Sequence, residues 1–419
     1  MTAEITTQSS PPKEYIQDVC PLKPTQLLED ASSSRIPSTN AEVESSGPQE
    51  SSERLGTLGQ IDSEGHQELI FHPRKNVPLL HECLGNLSIF VLSVWWIVGC
   101  GCYIIISICL LLGYYKTAFV LFALAMYPKL FKVKAWPLFR WLMAKGFHPL
   151  DLYAKRGYTL IFQKGAYEAI SRTNPAEFLA KSNQSGGNIP NANTSKSSEE
   201  EKNAILLSYH PHGVFPVNYY LSGACCEPLF RVNPNIRFLI ASALYNAPLW
   251  KFLVSWLDKF DSAEKKSMTN LMEQRKDIAL LPGGFEEATI YRYGVHRIYL
   301  KKRTGFIKYA LKYGYTLIPV YTFGEELNYY NLPGFYKFRL WLNKFHIPGV
   351  VFWGKLAGLG FSSHKMVTIY GQPLKCPKIE NPTSEQVHEY HDMYMSRVKT
   401  VFEENKARCG QPDAQLEIW

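Results

Sequence analysis

The chain alternates between unbroken apolar stretches and stretches that are polar throughout, and the lengths of these stretches predict most of its elements. The longest runs from Leu87 to Leu112, 26 residues without a charge that include Trp95-Trp96 and Ile104-Ile105-Ile106. About 20 apolar residues suffice for a helix to cross a hydrocarbon core, so this run predicts a transmembrane helix. A second run, Ala118 to Tyr127, is ten residues long. It is short for a full crossing and predicts either the return arm of a hairpin or a re-entrant segment. Further on, Ala204–Ser208 and Ile278–Leu281 are short apolar runs bounded by turn-forming residues, which predict strands buried in a sheet. Leu249, Phe252, Leu253, Trp256, Leu257 and Phe260 recur at helical spacing. Val387, Tyr390, Tyr394, Val398 and Val401 stripe a terminal helix, announced by the capping-box pattern Thr383-x-x-Gln386. Strands alternating with helical stretches from residue 204 onward predict an α/β sandwich with a partly parallel sheet.

The polar stretches set the domain boundaries. Residues 1–66 are rich in Ser, Glu, Pro, Thr and Gln, and cannot bury enough apolar area to offset the entropy of ordering. The expected organisation is a disordered cytosolic tail over 1–80, a membrane hairpin over 81–130 and a membrane-associated domain over 131–419. Within that domain the Asn/Ser/Gly-rich segment 182–203 is expected to be an exposed insertion loop. Charge sharpens this picture. Residues 1–80 hold 6 Lys+Arg against 12 Asp+Glu, and the remainder holds 39 against 25. Lys129, Lys132, Lys134, Arg140, Lys145, Lys155 and Arg156 follow the hairpin against Asp151 alone, which places the downstream domain in the cytosol. Trp136, Phe139, Trp141, Leu142 and Phe147 mix with these cations, as suits a bilayer interface or an ordinary packed helix. A basic body suits anionic lipid or an anionic substrate; no nucleic-acid motif accompanies it. The nine cysteines are odd in number and form no C-x-x-C pair, so neither a disulfide framework nor a zinc site is expected.

Candidate chemistry centres on Tyr209-His210-Pro211-His212-Gly213. Pro211 and Gly213 stop the preceding strand, and the edge where strands end is where α/β sheets bind ligands. Neutral imidazole is the side chain best suited to lift a proton near neutral pH. Taken alone, a histidine beside an apolar run is most often a hydrogen-bonded core or loop residue. His-x-His can also ligate zinc, but Cys225, Cys226 and Glu227 are the next ligand types along the chain, so no metal is expected. A second strand runs into Pro282-Gly283-Gly284-Phe285-Glu286-Glu287, a turn whose main-chain N–H groups suit an anion or a developing oxyanion. A third block holds Arg303-Thr304-Gly305-Phe306-Ile307-Lys308 and Phe323-Gly324-Glu325.

In this order, His-Pro-His-Gly, Gly-Gly-x-x-Glu, Arg-x-Gly-Phe and Phe-Gly-Glu resemble the diacylglycerol O-acyltransferase type 2 family, which also contains monoacylglycerol and wax-alcohol acyltransferases. The likeness runs over roughly residues 80–408. It implies a glycerolipid-acyltransferase-like sandwich anchored by a hairpin in the endoplasmic reticulum membrane, with lipid droplets as a second location. It implies acyl transfer from acyl-CoA to diacylglycerol, with acyl-CoA as a substrate and no cofactor, and leaves homo-oligomerisation open. His212 is the expected general base, His210 its orienting or pocket-shaping neighbour, and Glu287 a candidate for fixing the tautomer. The broader glycerolipid acyltransferases place an Asp five positions after their histidine, where this chain has Phe215 and Val217. Gly213, Gly283 and Gly284 are expected to serve the oxyanion or substrate. Arg303, Lys302 and Lys308, within a patch that includes Arg297 and Lys301, are expected to hold the acyl-CoA phosphates. Glu326 stands where the family commonly has Asn, which bears on the acceptor. Monoacylglycerol or a long-chain alcohol is the alternative acceptor. A non-enzymatic lipid-droplet tether and a metal hydrolase are the rival classes.

Overall fold

The computed structural model describes residues 57–61, 67–71, 79–143, 159–172, 203–345, 349–354 and 364–419, with some side chains of the first helix left out. The chain divides into two units, Met1–Ser51 and Ser52–Trp419, and every described residue lies in the second. The expected insertion loop, most of the expected tail, and Lys145, Phe147, Asp151, Lys155 and Arg156 lie outside the described residues.

The N-terminal part holds strands β1 (Thr57–Ile61) and β2 (Gln67–Phe71), then helices α1 (Leu79–Leu111), α2 (Tyr115–Leu130) and α3 (Pro137–Trp141). The central part holds β3 (Thr159–Phe162), β4 (Ile205–His210), β5 (Arg237–Ile240), α4 (Trp250–Leu257), β6 (Phe260–Ser262), α5 (Lys265–Glu273), β7 (Ile278–Leu280), α6 (Gly284–Ile290) and β8 (His296–Ile298). Then come α7 (Gly305–Tyr313), β9 (Thr316–Phe323), β10 (Tyr330–Asn331), α8 (Tyr336–Asn343), β11 (Phe352–Trp353), β12 (Val367–Tyr370), β13 (Leu374–Lys375), α9 (Ser384–Lys406) and β14 (Leu416–Ile418).

The main sheet runs β1-β2-β3-β12-β9-β4-β7-β5-β6, with β13 also paired to β9. Strands β9, β4, β7, β5 and β6 are mutually parallel. β12 and β3 form a parallel pair that runs against β9. The partly parallel sheet expected from the strand–helix alternation is therefore present. Along β4 the side chains alternate between two cores. Leu207 and Tyr209 join Tyr219, Phe238 and Tyr370 on one face. Leu206 joins Leu317, Tyr321, Tyr394 and Phe402 on the other, beneath α9. Both faces are covered, as a parallel sheet requires. The capping box is formed: Thr383 Oγ1 accepts from Gln386 N, and Thr383 N donates to Gln386 Oε1.

Two strands come from the stretch expected to be tail. β1 pairs with β2, and β2 pairs antiparallel with β3 at the sheet edge. The apolar runs of the N-terminal half form two helices that pack on each other and on α4. Trp95 Nε1 donates to Leu249 O at 2.8 Å, and Tyr127 stacks on Phe252 at 5.9 Å. Trp136 meets Trp256 edge-on at 5.3 Å, which ties α3 to the same seam. Among the described residues no helix is long and apolar enough to cross a membrane.

Candidate active site

Because β9, β4 and β7 are adjacent and parallel, the segments leaving their C-terminal ends share one edge of the sheet. Those segments are His-Pro-His-Gly, Gly-Gly-Phe-Glu-Glu and Phe-Gly-Glu. Three motifs separated in sequence are thus assembled by topology alone.

The two histidines are sent to different surroundings. His210 ends β4 fully buried on the α9 face. Its Nε2 lies 3.0 Å from the Tyr394 hydroxyl and 3.4 Å from Ser208 Oγ, while Nδ1 meets no partner among the described residues. Burial pushes its pKa down to about 3, so the ring is neutral. No hydrogen bond joins it to His212 among the described residues: His210 fastens β4 to α9 and does not orient the second imidazole. His212 lies beyond the strand end and is only partly buried. Its Nδ1 is 3.0 Å from Gly213 O. A carbonyl oxygen only accepts, so Nδ1 carries the proton and Nε2 is left with its lone pair. Burial lowers the His212 pKa, with the Gly213 hydrogen bond partly opposing it, so the neutral form is favoured. The ring is therefore set as an acceptor at Nε2, the form a general base needs.

Glu287 reaches the main chain of His212 rather than its ring. Its Oε1 accepts from His212 N at 2.5 Å and its Oε2 from Tyr299 N at 2.8 Å. The carboxyl is 2 % exposed, and burial raises its pKa to about 7 against the pull of those two N–H donors and Arg303. Gly213 O thus takes the tautomer-fixing role expected of Glu287, and Glu287 clamps the loop instead. Gly283 makes this clamp sterically feasible. A Cβ there would lie 1.8 Å from Glu287 Oε2. Gly284 differs, with φ +53° and nothing within 4 Å of its Cβ position. Gly213, at φ +65°, sits against a second carboxyl, since its Cβ would come within 2.8 Å of Glu325 Oε1.

Glu325 and Asn218 are parts of the site that the sequence did not single out by role. Glu325, 1 % exposed, accepts from Val217 N at 3.1 Å and Asn218 N at 2.9 Å. Burial lifts its carboxyl to about 8. Asn218 Nδ2 donates to Pro211 O at 2.9 Å. Together they brace the far side of the His212 turn. Only the position of Glu325 in the Phe-Gly-Glu motif hinted at this, because its partners are main-chain groups about 107 residues away. Glu326, buried beside it, accepts from Gly324 N and from Gln411 Nε2, at 2.9 and 2.7 Å.

The expected basic patch is divided. Arg303 is ion-paired with Glu286, and its Nη2 lies 3.4 Å from Gly283 O. Its buried Nε has no partner among the described residues. Arg297 is paired with Glu417. Lys301 and Lys302 are exposed on the turn before α7. Lys308 lines a separate cleft of about 540 Å³ with Lys265 and Lys312. Among the described residues no cluster of His, Cys, Asp and Glu could hold a metal ion.

The sequence pattern of the family described as Diacylglycerol acyltransferase matches residues 191–419. "Diacylglycerol O-acyltransferase 2" of Dictyostelium discoideum is 31 % identical over 242 residues, which is 52 % of this chain and 70 % of that protein. "Acyl-CoA wax alcohol acyltransferase 2" of Mus musculus is 31 % identical over 232 residues, 51 % of this chain and 69 % of that protein. The solved 1-acyl-sn-glycerophosphate acyltransferase PlsC of Thermotoga maritima is 16 % identical over 49 % of this chain and 68 % of that one, with a TM-score of 0.28, too loose a match to bear on the fold.

Proposed function

The chain belongs to the diacylglycerol acyltransferase family, and on that premise we propose that it transfers the acyl group of acyl-CoA to the free hydroxyl of diacylglycerol, giving triacylglycerol and coenzyme A. The observation that carries the mechanism is the hydrogen bond from His212 Nδ1 to Gly213 O, which leaves Nε2 free to accept. His212 Nε2 takes the proton of the acceptor hydroxyl as its oxygen bonds to the thioester carbonyl carbon. The C–S bond then breaks, and the proton passes from Nε2 to the departing thiolate. No enzyme-bound acyl intermediate is needed when both substrates are held in attack geometry. Glu287 and Glu325 hold the main chain on either side of the imidazole. The open space at Gly284 lets the thioester approach the turn closely. Arg303, whose Nε has no partner among the described residues, and the exposed Lys302 attract the coenzyme A phosphates, and Lys308 adds a cation from the separate cleft, where Glu273 and Glu380 partly offset the lysines.

The same reading places the enzyme on the endoplasmic reticulum membrane with its catalytic domain cytosolic. The paired helices α1 and α2 are its anchor. Phe119, Phe122 and Leu130 of α2 are 72 %, 48 % and 74 % exposed, side chains that lipid would cover.

Wax alcohols are the second acceptor reading, because the mouse wax-alcohol enzyme is as similar to this chain, at 31 % identity, as the Dictyostelium diacylglycerol enzyme. Membranes from cells expressing the chain are given radiolabelled acyl-CoA with diacylglycerol, monoacylglycerol or a long-chain alcohol in turn. Labelled triacylglycerol above the empty-vector level is the expected result. Labelled wax ester or diacylglycerol alone would move the acceptor. No acyl-CoA-dependent product with any of the three would leave a lipid-droplet tether in its place.

A further inference from the structure

Helix α8 (Tyr336–Asn343) is built inside out. Its buried residues are Arg339 and Asn343. Arg339 donates to the main-chain oxygens of Leu332 and Gly349. Asn343 Nδ2 donates to Thr289 Oγ1 at 2.6 Å. Its outward side carries Phe338 and Trp341, and Phe345 follows at the same helical spacing just past its end. These three are 57 %, 49 % and 58 % exposed. The rings contact one another: Phe338 stacks on Trp341 at 5.8 Å, and Trp341 meets Phe345 edge-on at 4.9 Å. A helix meeting water on its outer side puts polar residues there and apolar ones inward; this one does the reverse.

The neighbouring antiparallel pair of β10 and β11 extends the same character, with Tyr330 and Trp353 each about half exposed. The helix packs by its buried side against the helix that carries the Gly283–Glu287 motif. Asn343 Nδ2 also reaches Phe285 O at 3.4 Å, and Phe285 itself is 42 % exposed immediately after Gly284. Its charge is one-sided. From Leu327 to Lys365 the sequence carries five Lys or Arg and no Asp or Glu, and Lys337, Lys344 and Lys365 are exposed. Large rings amid cations are the composition of surfaces that sit at the headgroup level of an anionic bilayer.

We propose that the outward face of α8, with the β10–β11 pair, is a second membrane-contacting surface, which seats in the interface of an anionic bilayer beside the Gly283–Glu287 turn. It is separate in sequence from the α1–α2 hairpin. It places the lipid boundary next to the candidate active site, so that a lipid acceptor reaches His212 without crossing water.

The test uses the full chain in phosphatidylcholine liposomes, with and without phosphatidylserine, that contain a phospholipid bearing a diazirine in its acyl chain. After irradiation the adducts are mapped by mass spectrometry. The expected result is adducts on the segment Phe335–Phe345 as well as on α1 and α2. The Phe335–Phe345 signal, and not the α1–α2 signal, should fall severalfold when phosphatidylserine is left out, and be lost in Phe338→Ser/Trp341→Ser. Adducts confined to α1 and α2 would overturn the proposal. So would cross-links between two copies of the chain through Trp341, which would make the face a dimer contact. Labelling needs no turnover, so its failure leaves the acyl-transfer reading standing, and failure of that reading leaves the labelling to be judged by itself.

Discussion

Gly283 and Gly284 are adjacent, share a motif, and have different work. At Gly283 a Cβ would occupy the place of the Glu287 carboxyl. Gly283→Ala therefore evicts Glu287 and frees the His212 amide, and acyl-transfer activity is expected to fall about tenfold or more while the protein still accumulates. Gly284 has open space but φ +53°, so Gly284→Ala pays mainly backbone strain of about 1–2 kcal/mol and should keep activity within a few-fold. Assays of both variants in parallel, normalised to protein amount, decide the matter; equal losses would contradict the clamp. The sequence pointed to both glycines as main-chain donors. It could not show that one of them is a gap filled by a carboxylate, because that depends on how α6 turns Glu287 back over its own N-terminus. The same holds for the histidine pair. The sequence showed the strand stopping at this motif, but not that His210 would close the strand inside the core while His212 alone enters the turn.

At the scale of the elements, strands followed by Gly or Pro turns were legible because burial on both faces of a parallel strand demands continuous apolar runs. β4, β7 and β9 were readable for that reason. β1 and β2 were not. Gln67–Phe71 is a short, polar-flanked segment that pairs with β3, about 90 positions away, and Thr57–Ile61 joins the sheet only through Gln67–Phe71. Helix α9 was readable from both its stripe and its cap. Thr383→Ala removes the acceptor for Gln386 N and should cost about 1 kcal/mol. Tyr394→Phe leaves the buried His210 Nε2 with only the longer Ser208 contact, at about 1–3 kcal/mol. Thermal melts of both variants in detergent should rank Tyr394→Phe as the more damaging, and the reverse order would argue against His210 as the tie between β4 and α9.

Three buried groups beneath one edge of the main sheet, Glu287, Glu325 and His210, have shifted pKa values that contribute to the pH response. Glu287 and Glu325 titrate near 7 and 8 in the folded chain, against 4.5 as the model value of an exposed carboxyl. Both bind protons more tightly when folded, so their stabilising contribution is complete below about pH 4.5 and is lost as the pH rises through 7 and 8. His210 is shifted the other way, to about 3 from 6.5, and its contribution is lost as the pH falls below 6.5. Between pH 6.5 and 7.5 the two carboxyls still change while Lys251 and Lys259, which burial lowers to about 8, stay mostly charged, and the melting temperature is expected to decline across that interval. A rising melting temperature there would mean that the two carboxyls are charged in the folded state at neutral pH. The α/β reading of the sequence held because three of the four ordered motifs fall at the ends of the adjacent parallel strands β4, β7 and β9, while Arg303-x-Gly305-Phe306 opens α7. Glu287 and Glu325 stood in the motifs, but their bracing role stayed hidden because their partners include backbone amides, which sequence does not distinguish.

The central claim is that His212, with its proton held at Nδ1 by Gly213, accepts the hydroxyl proton at Nε2. The most direct measurement is the rate of triacylglycerol formation from acyl-CoA and diacylglycerol by purified wild-type and His212→Ala protein at equal amount and equal melting temperature. The account predicts a loss of about 10²-fold or more. A His212→Ala enzyme that retains its rate within a few-fold would contradict it.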